Sequence, residues 1–89
     1  MKKKLIAGNW KMNGSFGANE ALVKALVSGV ATQGADNCLV AVCVPAPYLA
    51  QVQALLGVSP VHLAAQDVSA YEAGAYTGEV SAAMLRDFG

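Results

Sequence analysis

The chain has 89 residues, 55% of them apolar and 13% charged, with six basic and six acidic side chains. That length allows one domain at most and excludes a multidomain enzyme. The zero net charge weighs against an electrostatic nucleic-acid binder.

A chain this short buries only roughly 60–65% of the surface it exposes when unfolded. An apolar share of 55% is high for a free-standing domain of that size and points to a part of something larger. Lys2, Lys3 and Lys4 form the one basic run, but only Leu5-Ile6-Ala7 follows before Gly8-Asn9. A secretory leader needs an apolar stretch of about 7–15 residues there, and a membrane span needs roughly 18 or more. The lysines are expected to form a solvated terminus.

Leu5 to Trp10 reads as a short buried strand, and Asn13-Gly14-Ser15 supplies turn and capping chemistry. From residue 17 to 31, Ala18, Leu22, Leu26 and Val30, with Ala25 beside them, recur at helical spacing. Glu20 and Lys24 stand one turn apart in the favourable order. Gly34-Ala35-Asp36-Asn37 breaks the helix. Leu39 to Val44 is a continuous apolar run, β-branched at every second position, as expected of a strand covered on both faces. Pro45-Ala46-Pro47 ends it, and Pro47 suits the opening of the next helix. Tyr48, Leu49, Val52, Leu55 and Leu56 form that helix's apolar face, and Gly57 its C-terminal cap. Val61 to Gln66 is a third short strand, followed by a long loop, Asp67 to Thr77, rich in Gly, Ala and Tyr. Glu79 to Phe88 reads as helix, with Glu79 in the first turn, where the dipole favours a carboxylate, and Gly89 as terminator.

The order is β-α-β-α-β-α, which implies parallel strands joined by right-handed crossovers. Periodicity alone leaves a doubly wound sheet and a (β/α) barrel both open. In either, function gathers at the carboxyl ends of the strands, here Asn9 to Asn13, Pro45 to Tyr48, and Gln66 onward. If the first strand runs on through residue 11, Asn9 and Lys11 point to one side and Trp10 to the other. An ammonium and an amide converging at a strand end suit an anion, such as a phosphate or a developing enolate.

The other candidates are weaker. Cys38 and Cys43 lie in one strand, which separates their Cα atoms by roughly 16 Å, too far for a disulfide. They read as small buried or half-buried hydrophobes in a reducing compartment. No G-x-G-x-x-G or P-loop follows the first strand. His62, the one histidine, sits at the start of the third strand, at the opposite end from the expected site. Asp67 and Glu72 lie in the loop as solvated carboxylates. No metal site and no cofactor are expected.

Gly8-Asn9-Trp10-Lys11-Met12-Asn13-Gly14 resembles the opening motif of the triosephosphate isomerase family. Ala65-Gln66-Asp67, Gly74-Ala75-Tyr76-Thr77-Gly78-Glu79 and Ser81-Ala82-Ala83-Met84-Leu85 resemble a second family motif, in order and at compatible spacing. The second motif argues against another phosphate-handling barrel that shares only the opening. The resemblance covers the whole chain and implies an α/β fold: the first three βα units of a (β/α)8 barrel, residues 1–89 forming one partial barrel domain.

The resemblance implies a cytoplasmic enzyme of glycolysis and gluconeogenesis. It would interconvert dihydroxyacetone phosphate and glyceraldehyde 3-phosphate through an enediol(ate), without a cofactor. Asn9 resembles the substrate-binding asparagine, Lys11 the essential active-site lysine, and Gln66 a supporting residue near it. The segment from 70 to 79 resembles the loop that projects into the partner subunit of a homodimer. Within it Tyr76, Thr77, Gly78 and Glu79 are implied interface residues, and Met12 falls at a further interface position. The family's histidine electrophile, glutamate base and closing loop have no counterpart here, and His62 is not that histidine. These 89 residues alone are therefore expected to be inactive, and to need the remaining barrel polypeptide. The alternative is a non-catalytic assembly piece that uses the loop 70–79.

Overall fold

The continuous apolar run forms the central strand of a three-stranded parallel sheet. The computed structural model describes residues 2–34 and 36–89. In chain order the elements are β1 (Lys4–Asn9), α1 (Phe16–Gln33), β2 (Cys38–Val44), a 3-10 turn (Ala46–Tyr48) leading into α2 (Leu49–Leu56), β3 (His62–Ala65) and α3 (Ala82–Arg86). The strands lie in the order β1-β2-β3. Asn9 stands beside Cys43, and Val44 beside Ala65, so the carboxyl ends of all three strands open on one side.

Local capping chemistry marks the ends of α1 and the close of α2. Ser15 caps α1: its Oγ accepts from the Ala18 N–H at 3.2 Å. Gly34, at φ 77, closes α1, its N–H donating to the Val30 carbonyl. Ala35, part of the expected breaker, lies outside the described residues. Gly57, at φ 53, closes α2 in the same way through the Gln53 carbonyl. The expected opening at Pro47 takes the form of the 3-10 turn, with α2 proper beginning at Leu49.

Val23 of α1, Val42 and Val44 of β2, Leu49, Val52 and Leu56 of α2, and Val61 make the core. Trp10 packs against it from the end of β1, on the side expected of that aromatic.

Four expectations need correction. The buried face of α1 is Asn19 and Val23, with Leu26, Val27 and Val30 beside them, whereas Leu22 is 53% exposed and Ala18 and Ala25 are open. The face turns because Asn19 enters the interior, where Nδ2 donates to Gln51 Oε1 at 3.0 Å, so burial leaves no orphaned polar group. The central strand is covered unevenly: Val40, Val42 and Val44 meet the helices, while on the other face Ala41 is buried, Cys43 is half-buried and Leu39 is 41% exposed. The last helix begins at Ala82, because the Ser81 Oγ accepts from the Met84 N–H at 3.2 Å and fixes the start. Glu79 thus lies before the helix, in a turn where its N–H donates to the Tyr76 carbonyl. β1 ends at Asn9 rather than running on through residue 11.

A fifth correction concerns β1, which is expected to be buried: all six of its residues are exposed, Leu5 and Ile6 by 63% and 54%. Among the described residues no helix is long and apolar enough to cross a membrane, and no cluster of His, Cys, Asp or Glu has metal-binding geometry.

Candidate active site at the carboxyl ends of the strands

β1 stops because the chain turns sharply at Lys11, whose φ is +58. Lys11 is the one non-glycine residue with positive φ among those described. That conformation costs a side-chain-bearing residue about 1–2 kcal/mol and persists only where neighbours over-determine it.

The neighbours are identifiable. Asn9 Oδ1 accepts the Lys11 N–H at 2.8 Å, so the amide that ends the strand also holds the turn. Asn13 Nδ2 donates to the Trp10 carbonyl at 2.9 Å. The Trp10 N–H donates to the Cys43 carbonyl at 3.0 Å, extending the sheet ladder one step past β1. Gln66, the first residue after β3, reaches across all three strand ends. Its Nε2 donates to the Lys11 carbonyl at 3.0 Å and to the Cys43 carbonyl at 3.1 Å. Farther along the turn, Tyr48 Oη donates to the Gly14 carbonyl at 3.0 Å.

The expected residues Asn9, Lys11 and Gln66 are therefore brought together, but not through alternation along a strand. A turn in the left-handed region does it, aided by two side-chain amides. The Lys11 side chain is exposed, and among the described residues it forms no ion pair. An unpaired ammonium on a fixed backbone suits an anion. Asn13 and Tyr48 lie in the strand-end segments where function is expected, but the sequence assigns neither a hydrogen bond within the site. Asn13 read as turn chemistry and Tyr48 as part of an apolar helix face; the phenol hydroxyl on an otherwise apolar side chain was the available signal.

His62 is exposed at the amino end of β3, away from Lys11. Cys38 and Cys43 are unpaired, as their spacing requires, and both are half-buried. Asp67 and Glu72 are exposed.

The long loop after β3 has an ordered base and a stacked interior. The Ser69 N–H donates to the Val80 carbonyl at 2.8 Å, closing the loop. Tyr71 and Tyr76 stack with centroids 4.1 Å apart and planes 5° from parallel. Tyr76, Thr77, Gly78 and Glu79 are all exposed. Met12 is 97% exposed. It borders an open hollow of about 300 Å³ lined also by Asn13, Gly14, Pro45, Pro47 and Tyr48.

Comparison with known proteins gives a consistent result. A family model described as triosephosphate isomerase matches residues 4–89. The chain is 67% identical over 88 residues to the triosephosphate isomerase of Paracidovorax citrulli, covering 99% of this chain and 35% of the relative. It is 64% identical over 89 residues to that of Albidiferax ferrireducens and 65% identical over 89 residues to that of Delftia acidovorans. Each of those two alignments covers 100% of this chain and 35% of the relative. The chain thus spans about a third of the length of the curated relatives it matches.

Proposed function

The chain belongs to the triosephosphate isomerase family, and on that premise we propose that it forms the Lys11 side of an isomerase active site. Residues 1–89 make a partial barrel domain, and the reaction is the interconversion of dihydroxyacetone phosphate and glyceraldehyde 3-phosphate. The observation that carries the reading is the Lys11 turn, held at φ +58 by Asn9 and Gln66 with its ammonium unpaired. The ammonium offsets phosphate charge and stabilises the oxyanion that develops at the enediolate. Asn9 adds an amide that contacts substrate, and Gln66 supports the turn.

In the triosephosphate isomerase family the rest of the chemistry belongs to a glutamate base, a neutral histidine electrophile and a closing loop. His62 fills neither role. Other barrel polypeptide supplies these groups, and it also covers Leu5 and Ile6 on β1. A homodimer forms through the loop 70–79, with Tyr76, Thr77, Gly78 and Glu79 reaching the partner and Met12 at the receiving hollow. Two unpaired cysteines fit a reducing cytoplasm.

The test is a chimeric barrel in which residues 1–89 replace the matching segment of the Paracidovorax citrulli relative. The chimera is expected to isomerise triose phosphate, and Lys11→Ala to lose roughly 100- to 1,000-fold or more in kcat, the scale for removing one preorganised electrostatic group. Full activity in Lys11→Ala would reject the reading. A chimera that dimerises but has no activity would favour the assembly-piece alternative.

A further inference from the structure

The turn that carries Lys11 is tied to distant parts of the chain at two points. Gln66 holds the Lys11 carbonyl. The second tie is Tyr48. Its Oη donates to the Gly14 carbonyl at 3.0 Å. Its ring lies so close that a Cβ on Gly14 would sit 2.9 Å from Tyr48 Cε2.

Tyr48 is itself fixed. Its N–H donates to the Pro45 carbonyl at 2.9 Å within the 3-10 turn. Its ring meets Phe16 edge-on, with centroids 5.8 Å apart and planes 73° from parallel. The ring also packs against the core. For Lys11 to relax into the ordinary region of negative φ, its peptide units must rotate and residues 12–14 must move. Gln66 resists that motion at one end of the segment and Tyr48 at the other.

We propose that Tyr48 is a positioning residue for Lys11: its hydroxyl holds the far end of the turn and so keeps the strained lysine aimed at the anionic substrate. This rests on Lys11 being the active-site lysine. Tyr48→Phe is the informative variant, because it keeps the ring and the Phe16 contact and removes one hydrogen bond.

In the chimeric barrel, Tyr48→Phe is expected to lower kcat/KM by about three- to ten-fold, the range for one hydrogen bond. In a Lys11→Ala background the same change should have almost no further effect, since a residue that acts through Lys11 has nothing left to position. Amide exchange of residues 11–14 should quicken about five-fold with the rest of the barrel unchanged. That measurement decides the matter even in a barrel of low activity. Unchanged exchange at residues 11–14 would overturn the proposal, as would an equal loss of kcat/KM in both backgrounds. Full activity in Lys11→Ala alone would instead overturn the reading on which it rests.

Discussion

Asn9 Oδ1 accepts the amide N–H of Lys11 at 2.8 Å, and across that bond the backbone passes from β-strand into the left-handed region at φ +58. The residue that ends the strand therefore also selects the conformation of the residue that carries the charge. Strained backbone of this kind clusters at functional sites. Lys11→Gly separates the two consequences. Glycine tolerates φ +58 without the steric cost of about 1–2 kcal/mol, while its own entropy costs about 0.5–1 kcal/mol. Guanidinium denaturation of the chimeric barrel, at fixed protein concentration, should show Lys11→Gly as stable as the parent or up to about 1 kcal/mol more stable. Isomerase activity should be lost in the same sample. A clear drop in stability would mean that the turn is not strained at Lys11.

Gln66 supports the turn only as a donor. Leucine at this position leaves the Lys11 carbonyl to water, while the Cys43 carbonyl keeps the Trp10 N–H. Gln66→Leu should cost about 1 kcal/mol. Gln66→Glu should be worse at neutral pH, because an ionised carboxylate offers no proton and faces two carbonyl oxygens. Its protonated form regains one O–H donor. The gap in stability between Gln66→Glu and the parent should therefore narrow between pH 8 and pH 5, and equal gaps at both would show that Gln66 does not act as a donor.

Much of the fold was legible because its signals are local. Ser15, Gly34 and Gly57 mark helix ends by chemistry that acts within one turn. The run at residues 39–44 marks a strand by composition. The pairing of Asn9 with Lys11 was legible in type but not in geometry: alternation along a strand predicts it, and a left-handed turn produces it. The face of α1 was misread because Asn19 counts as polar in any periodicity argument. Only its partner Gln51, far along the chain, makes it an interior residue. The start of α3 was misplaced for a related reason. Glu79 is a plausible first-turn residue, but Ser81 outcompetes it by capping directly. The Tyr48 hydroxyl signals a polar contact but not its partner, since Gly14 is distant in sequence and approaches it only once β1 and β2 have paired.

The Lys24 ammonium donates to Glu20 Oε1 at 2.7 Å across one turn of α1. That hydrogen bond, and then the charge itself, hold the Glu20 carboxyl below its ordinary value of 4.5. A carboxyl depressed in the folded state contributes stability that is present above its unfolded pKa. The contribution fades as pH falls through the folded value. The pair is exposed, so its effect is small and screened by salt. An NMR titration of the Glu20 side-chain carbon should give a midpoint below 4.5, moving upward in Lys24→Ala and at high salt. A midpoint at or above 4.5 in the parent at low salt would show that the pair does not persist in solution.

Two glycines should respond to the same substitution with opposite signs. Gly14 has φ +133, and a Cβ there would stand 2.7 Å from Asn19 Oδ1 and 2.9 Å from Tyr48 Cε2. Neither neighbour is free to give way: Asn19 is 2% exposed and bonded to Gln51, and Tyr48 is braced by Phe16. Gly14→Ala should destabilise the chimeric barrel by about 2 kcal/mol or more. It should also disturb the Lys11 turn, so activity should fall by more than the loss of folded protein explains. Gly29 lies inside α1 at ordinary helical φ, with nothing within 4 Å of the added methyl. Gly29→Ala should therefore stabilise by about 0.5–1 kcal/mol through helix propensity and a less flexible unfolded chain, with activity unchanged. Denaturation midpoints for the two variants, measured beside the parent, check both signs. A neutral Gly14→Ala would mean that residues 10–15 hold a looser conformation than the one that orients Lys11.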